Sequence, residues 1–195
     1  MKTIALFGTS ADPPTAGHQT ILRWLSDHYD LVVVWASDNP FKDHQATLKR
    51  RTQMLRLLIE EIEPSRNNIS LREELSDRRT LITVQKAREI WGSDAEFTVV
   101  IGSDLVSQIR KWYRIEDLLK QVKILIVPRP GYTIAQKDLE ALTSLGGKYA
   151  IANLDAPPVS STTYRQEKDS ELITPAVQNY ISQNHLYSAF TDSQN

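Results

Sequence analysis

The sequence contains no cysteine, so disulfides and thiolate metal sites are excluded. It has only seven glycines in 195 residues, and none of them falls in a G-x-G-x-x-G or G-x-x-x-x-G-K-[ST] pattern. This excludes an ordinary dinucleotide-dependent dehydrogenase and a P-loop NTPase. The histidine and carboxylate spacing of metalloproteases and the G-x-S-x-G turn of α/β-hydrolases are missing as well. Any chemistry here has to use a different kind of site.

Excess charge and long apolar runs are also absent. The chain has 23 basic and 24 acidic residues, a formal net charge of −1, which gives no electrostatic basis for binding nucleic acid or a membrane surface. No apolar run approaches the roughly 20 residues of a membrane span. The N-terminus enters a strand pattern within a few residues and shows no signal-peptide core. Together with the lack of cysteine, these features predict a cytoplasmic protein.

Apolar strand patterns alternate with amphipathic helix patterns along the chain. Strands are predicted at 3–8, 31–36, 97–102 and 123–128, with shorter candidates at 69–72 and 149–153; helices are predicted at 16–28, 47–62, 80–91, 115–121 and 136–145. This alternation predicts a doubly wound, mostly parallel, Rossmann-like α/β sheet. We expect one domain over 1–187, with a helical C-terminal part at about 160–187 and a frayed tail over 188–195.

The turn after the first strand, residues 7–18, carries the most information. A turn between the first strand and first helix is where α/β sheets bind phosphates. Gly17 lets a ligand approach the backbone closely, and His18 offers ring nitrogens that can donate to an anion. Taken alone, His18 could equally be a helix cap or a core residue.

Three further segments have the same ambiguity. Residues 160–165 place hydroxyls and Arg165 at a helix start, which suits an anion or a simple helix cap. Lys42 follows the second strand, where it could reach a phosphate or face solvent. Gly102 and Asp104 follow the strand at 97–102, where Asp104 could bind a ribose or cap a helix. All four segments follow strands or start helices at one predicted edge of the sheet.

Taken together, these segments resemble the bacterial nicotinate mononucleotide adenylyltransferases over nearly the whole chain. The matching segments are Gly8-Thr9-x-x-Asp12-Pro13-x-Thr15-x-Gly17-His18, Pro40-x-Lys42, Arg51-x-x-Met54, Ile101-Gly102-Ser103-Asp104, Trp112-Tyr113, Arg129-Pro130-Gly131-Tyr132 and Ser160-Ser161-Thr162-x-x-Arg165. The first turn by itself is typical of a whole nucleotidyltransferase superfamily. The order and spacing of all these segments together make the resemblance specific.

The resemblance implies that the chain transfers the adenylyl group of ATP to a pyridine mononucleotide, with Mg²⁺ arriving on ATP and no metal ligands from the protein. It implies catalytic roles for His18, Lys42 and Arg165. The implied ATP-binding residues are Gly8, Thr9, Thr15, Gly17, His18, Gly102, Asp104, Ser161, Thr162 and Arg165. The implied pyridine nucleotide-binding residues are Asp12, Lys42, Thr80, Thr83, Trp112 and Arg129.

The sequence also departs from the family pattern at several places, including Ser10-Ala11, where an aromatic residue usually precedes Asp12, and Tyr164, where an aliphatic residue is common. Thr15 stands where the family usually has a histidine, so this position cannot supply a second imidazole. Residues 79–83 resemble only loosely the family segment that recognises the pyridine carboxylate, which leaves nicotinate and nicotinamide mononucleotide as alternative substrates. A pantetheine-phosphate or flavin adenylyltransferase and a non-catalytic nucleotide sensor are the other interpretations.

Overall fold

A six-stranded sheet with the order β3-β2-β1-β4-β5-β6 forms the centre of the molecule in the part of the chain that the structure describes. This computed structural model describes residues 1–39, 42–155, 157 and 159–188. The strands are β1 (Thr3–Thr9), β2 (Leu31–Ala36), β3 (Ile69–Leu71), β4 (Glu96–Gly102), β5 (Lys123–Val127) and β6 (Tyr149–Ile151). Every neighbouring pair is parallel, as the alternation of strands and helices predicts.

Helices cover both faces of this sheet. They are α1 (Ala16–His28), α2 (Leu48–Glu60), α3 (Thr80–Trp91), α4 (Ile115–Leu119), α5 (Gln136–Ser144), α6 (Ser161–Glu167) and α7 (Pro175–Gln183). Side chains of α1, α2, α6 and α7 share one buried cluster with one face of the sheet, and side chains of α3, α4 and α5 share a second cluster with the other face. Burial on both faces explains why the central strands are almost continuously apolar.

The side chains of β1 show how this two-sided core is built. Ala5 and Phe7 belong to one cluster, whereas Ile4 and Leu6 belong to the other, because successive side chains of a strand point to opposite faces. The same alternation divides β2 and β4 between the clusters. The apolar residues of these strands therefore fix the register of the sheet as well as its stability.

The strand order positions the site. From β1 the chain continues through α1 to β2 on one side, while β4 pairs with the other side of β1. The carboxyl ends of β1 and β4 thus lie at a topological switch point, where the flanking loops diverge and leave a crevice. The first turn follows β1, and Gly102 ends β4 at the same edge.

The C-terminal segment packs on the α1 and α2 side of the sheet. Val177 and Ile181 of α7 and Tyr164 of α6 are buried in that cluster. Pro175 occupies the first turn of α7 and Thr174 its N-cap. The predicted frayed tail lies outside the described residues from 189 onward. Among the described helices, none has both the length and the apolar character needed to cross a membrane.

Candidate active site

A cleft of about 400 Å³ opens at the carboxyl ends of β1 and β4. Its walls include the four segments that the sequence singles out, which are the first turn, the loop after β2, the end of β4 and the start of α6, together with residues 127–130 at the end of β5. The predicted catalytic and ATP-binding residues that line it are Gly8, Thr9, Thr15, Gly17, His18, Lys42, Gly102, Asp104, Ser161, Thr162 and Arg165. The volume is within the range of small-molecule sites.

His18 is held at the start of α1 by both nitrogens of its ring. Nδ1 accepts a hydrogen bond from the backbone N–H of Thr15 at 2.9 Å, and the Thr15 hydroxyl lies 3.0 Å from the same nitrogen. Because Nδ1 is an acceptor, the proton of the neutral ring is on Nε2, which lies 2.9 Å from the Thr9 hydroxyl. The sequence position of His18, the third residue of the helix, produces this arrangement. His18 therefore presents one N–H donor in the cleft.

Burial, together with the positive charges of Arg129 and Lys42, lowers the pKa of His18 from 6.5 to about 4. The imidazole is consequently neutral near pH 7 in the free protein. A neutral ring with its proton on Nε2 can still donate a hydrogen bond to an anion. It does so without the desolvation cost of a buried imidazolium ion.

This shift predicts a pH-dependent contribution to stability. Between pH 6.5 and about 4 the unfolded chain binds a proton at His18, whereas the folded chain does not. The free energy of unfolding therefore decreases as the pH falls from 6.5 towards 4 and is not affected by His18 above pH 6.5. We expect the free energy of unfolding of the wild type to fall more between pH 7 and pH 5 than that of His18→Gln. Urea titrations at both pH values measure this difference. Equal losses in the two proteins would contradict the shift, and His28→Gln, an exposed histidine of the same helix, should behave as wild type.

The start of α6 is docked on the first turn by side chains. The Ser161 hydroxyl donates to the Pro13 carbonyl at 2.7 Å, and Arg165 Nη1 donates to the Asp12 carbonyl at 2.7 Å. Arg165 Nη2 also lies 3.3 Å from the Thr162 hydroxyl. These contacts join segments about 150 positions apart in the chain and place Arg165 in the same cleft as His18.

Positive charge is concentrated across the cleft from this helix. Arg129 Nη1 donates to the Asp104 carboxylate at 2.9 Å, so the charges of these two side chains neutralise each other. Burial lowers the pKa of Lys42; Asp104 opposes that shift, and Arg129 and Arg165 add to it. Within the described part of the chain, neither Lys42 nor Arg165 forms an ion pair with a carboxylate. Both cations are therefore available to an anionic ligand.

Two glycines of the site are required by their surroundings. A Cβ at Gly8 would lie 2.7 Å from the indole of Trp35, its partner on β2. A Cβ at Gly102 would collide with the Asp104 carboxylate and lie 3.1 Å from Arg129 Cδ. The absence of side chains at these positions keeps the floor of the cleft open and preserves the Asp104–Arg129 pair.

Asp12 lines the cleft, yet its carboxylate is already occupied by the protein. Oδ2 accepts from the Gln45 amide at 2.7 Å, and Oδ1 accepts from the Ala46 amide at 3.0 Å and from the Tyr187 hydroxyl at 2.5 Å. The side chain is buried. The Asp12 carboxylate therefore organises the surrounding loops, and its implied role in binding the pyridine nucleotide stays a prediction.

Three residues assigned to the pyridine nucleotide do not line this cleft. Thr83 is buried inside α3 and donates its hydroxyl to the Leu75 carbonyl at 2.6 Å, which leaves it no contact with a ligand in this arrangement. Trp112 is half-buried and packs against the core on the α3 side. Thr80 is the first residue of α3. Lys42 and Arg129, the other two residues of that group, do line the cleft.

A second depression of about 310 Å³ lies beside the start of α3. Its lining includes Asp38, Asp77, Arg78 and Arg79, and Asp38 is the neighbour in sequence of Asn39, which lines the main cleft. The Arg79 guanidinium lies 5.0 Å from the ring centre of Tyr113, which connects this depression to the Trp112 segment. Thr80 follows Arg79 in the chain and Trp112 precedes Tyr113, but neither is among the lining residues of this depression.

Three residues that build or line the site have no predicted role, although Arg51 belongs to one of the segments that carry the family resemblance. Arg51 is fully buried and donates to the carbonyls of Ser10 at 2.8 Å and Ser37 at 2.7 Å, which ties the first turn to the end of β2. His44 lines the cleft with Nε2 3.4 Å from the Ser10 hydroxyl, and its position two residues after Lys42 was a usable signal. Tyr187 gave no signal in the sequence, because its partner Asp12 lies at the opposite end of the chain.

Comparison with known proteins places the chain among nucleotidyltransferases. The cytidylyltransferase-like family model matches residues 6–167. A protein of Synechocystis sp. named "Probable nicotinate-nucleotide adenylyltransferase" is 47% identical over 94% of this chain and 98% of its own length. A protein of Bacillus pumilus with the same name is 32% identical over 97% of this chain and 100% of its own length.

The fold also matches a solved structure. The nicotinic acid mononucleotide adenylyltransferase of Plasmodium falciparum, solved in complex with NaAD, superposes with a TM-score of 0.81. The match covers 96% of this chain and 98% of that chain at 22% sequence identity. At this identity the likeness shows a shared fold, and it agrees with the doubly wound sheet predicted from the sequence.

Proposed function

Because the chain belongs to the cytidylyltransferase-like family, and within it to the nicotinate-nucleotide adenylyltransferases, we propose that it transfers the adenylyl group of ATP to nicotinate mononucleotide in NAD biosynthesis. A phosphate oxygen of the mononucleotide attacks the α-phosphorus of ATP. The bond between that phosphorus and the bridging oxygen to the β-phosphate breaks, and pyrophosphate leaves. The product is the dinucleotide nicotinate adenine dinucleotide.

The observation that carries the proposal is the convergence of His18, Lys42 and Arg165 in one cleft at the switch point of the sheet. Both reactants are anionic, and the attacking phosphate is already deprotonated at neutral pH. The reaction therefore needs no general base and no covalent enzyme intermediate. Alignment of the two phosphates and stabilisation of charge at the α-phosphate are what the protein has to supply.

His18 is assigned to the α-phosphate. Its Nε2 proton lies against the Thr9 hydroxyl in the free protein and is the donor that an oxygen of the α-phosphate would accept. Thr15, whose backbone and hydroxyl both contact Nδ1, fixes the ring and its tautomer. Because the ring is neutral and already oriented, stabilising the transition state requires little reorganisation.

In this proposal Arg165 and Lys42 each bind a different reactant. Arg165, with Ser161 and Thr162, lies beside the first turn and suits the β- and γ-phosphates that leave as pyrophosphate. Lys42 lies in the loop after β2 and suits the phosphate of the mononucleotide. The adenosine part is assigned to the end of β4, where Gly102 leaves room beside the Asp104–Arg129 pair.

Mg²⁺ is part of the ATP substrate in this account. Among the described residues, no group of three histidine, aspartate or glutamate side chains is arranged to hold a metal ion. The Asp104 carboxylate, which lines the cleft, is engaged by Arg129. We therefore assign the ligands of Mg²⁺ to phosphate oxygens and water, as is usual for this ion.

Nicotinate is proposed over nicotinamide on the basis of charge. The second depression is lined by Asp38, Asp77, Arg78 and Arg79, and the start of α3, a helix of 12 residues, lies beside it. Asp38 forms an ion pair with Arg78 at 3.3 Å, whereas Arg79 forms no ion pair among the described residues. A helix N-terminus and the Arg79 guanidinium favour a carboxylate over a neutral amide. Trp112, in the segment that Arg79 contacts through Tyr113, is assigned to the pyridine ring.

A substrate panel tests this function. The full chain is incubated with ATP, Mg²⁺ and one of four acceptors: nicotinate mononucleotide, nicotinamide mononucleotide, pantetheine phosphate or flavin mononucleotide. We expect dinucleotide and pyrophosphate in equal amounts, with the highest kcat/KM for nicotinate mononucleotide. A higher kcat/KM with pantetheine phosphate or flavin mononucleotide would overturn the proposal, as would tight ATP binding with no pyrophosphate released from any acceptor.

A further inference from the structure

Tyr187 lies close to the end of the described chain, yet its side chain is built into the support of the active site. The residue is only 8% exposed, and its hydroxyl donates to Asp12 Oδ1 at 2.5 Å. It does not line the cleft itself. A buried tyrosine usually finds a hydrogen-bond partner, but this one has taken a carboxylate in the turn that carries the catalytic histidine.

Asp12 is the point at which the surrounding loops are joined. Its carboxylate accepts hydrogen bonds from the backbone N–H groups of Gln45 and Ala46, which follow the loop that carries Lys42. Its carbonyl accepts Arg165 Nη1. One residue of the first turn therefore fixes both the Lys42 loop and the cation of α6, and Tyr187 supplies the third donor to its carboxylate.

The ring of Tyr187 makes the connection to α6 from the other side. It packs edge to face on Tyr164 of that helix, with ring centres 6.1 Å apart and an interplanar angle of 88°. The Lys168 ammonium lies 5.7 Å from the Tyr187 ring centre and 5.9 Å from that of Tyr164. Tyr187 thus contacts the first turn through its hydroxyl and α6 through its ring.

The protonation state of this hydroxyl is constant over the accessible pH range. Burial raises the pKa of Tyr187 far above its ordinary value, and the hydrogen bond to Asp12 and the charge of that carboxylate raise it further. Arg165 and Arg51 act in the opposite direction. The group therefore remains protonated and can donate to Asp12.

We propose that Tyr187 is a positioning residue for adenylyl transfer: it holds the Asp12 turn and α6 at the separation at which His18 and Arg165 reach the same ATP molecule. This inference rests on the proposed function. Without the hydroxyl, Oδ1 of Asp12 loses the shorter of its two hydrogen bonds, and the turn is held against α6 by the Ser161 and Arg165 contacts without that support. Small displacements of aligned reactive groups have large effects on rate.

The first test compares Tyr187→Phe with Tyr180→Phe. Both changes remove one hydroxyl from a C-terminal tyrosine, but the Tyr187 hydroxyl donates to Asp12, whereas Tyr180 lies on α7 and is not one of the donors to Asp12. We expect kcat/KM for ATP to fall on the order of tenfold in Tyr187→Phe, as for loss of a charge-assisted hydrogen bond, and to stay within about twofold in Tyr180→Phe. Assays are run well below the melting temperature of each variant. An unchanged kcat/KM in Tyr187→Phe, with only a lower melting temperature, would make the role purely structural and overturn the proposal.

A double-mutant cycle tests whether the effect passes through Asp12. If it does, Asp12→Asn combined with Tyr187→Phe should be no slower than Asp12→Asn alone. Losses of kcat/KM that multiply in the double mutant would place the action of Tyr187 elsewhere and contradict the proposal.

A measurement on the wild type keeps the proposal testable if Tyr187→Phe does not fold. Binding of an ATP analogue with a non-cleavable α–β bridge should slow amide hydrogen exchange in residues 183–188, although this segment does not line the cleft. Unchanged exchange in that segment, with the analogue bound, would overturn the inference. The wild-type assay distinguishes failure of the proposed function from failure of the role of Tyr187, because only the former would leave the wild type without dinucleotide product.

Discussion

Replacing His18 with alanine should lower kcat by about 10²–10³-fold while the fold is retained, as is typical when one preorganised donor to a transition-state oxyanion is removed. In the free protein the ring is already oriented by Thr15 and Thr9, and its Nε2–H group is the donor. Alanine is compatible with the start of a helix, so α1 should persist. Steady-state kinetics of dinucleotide formation, with circular dichroism to verify folding, measure the effect.

His28→Ala is the matched control for this prediction. His28 lies on the same helix, is exposed, and contacts the Trp24 ring and backbone rather than the cleft. Its removal should leave kcat within about twofold of wild type, as for a surface substitution of less than about 0.5 kcal/mol. A folded His18→Ala protein with near-wild-type turnover would remove His18 from the chemistry, whatever the control does.

Replacing Arg165 with alanine should lower kcat/KM for ATP on the order of 10²-fold, because the change removes a cation from the phosphates and a donor from the first turn. Arg165→Lys should recover only part of this loss. The guanidinium reaches the Asp12 carbonyl and the Thr162 hydroxyl with two separate nitrogens, and a single ammonium cannot reproduce that fork. Initial rates at varied ATP concentration give the comparison.

Arg56→Ala controls for the loss of an arginine as such. Arg56 is exposed and forms an ion pair with Glu73 at 3.7 Å, away from the cleft. Exposed pairs of this kind contribute at most about 1 kcal/mol to stability. If Arg56→Ala and Arg165→Ala lower kcat/KM equally, the assigned role of Arg165 in binding ATP fails.

The fold could be predicted from the sequence because its strands are apolar on both faces. In β1 and β2 no polar side chain interrupts the run, and this pattern fits only strands that are covered by helices on each side. The order of strands and helices then determines that the loops after β1 and β4 share one edge of the sheet. The placement of His18 beside Gly102 follows from these two facts.

The supporting contacts of the site could not be predicted in the same way. Asp12 is joined to Tyr187 across 175 positions and to Ala46 across 34, and neither contact has a local sequence pattern. Thr83 shows the converse problem. A threonine near a helix start is compatible with ligand binding, but the helical spacing that buries Val84 and Ala87 also turns Thr83 inward, towards the Leu75 carbonyl.

The central claim is that segments far apart in the chain form one cleft that aligns two anionic reactants. A crystal structure of the protein with nicotinate mononucleotide and an ATP analogue that cannot release pyrophosphate tests it most directly. We predict that His18 Nε2 leaves the Thr9 hydroxyl for an α-phosphate oxygen, that Arg165 contacts the β- or γ-phosphate of the same analogue, and that Lys42 contacts the phosphate of the mononucleotide. Phosphates bound away from His18, or His18 still bonded to Thr9 with both ligands in place, would contradict the account.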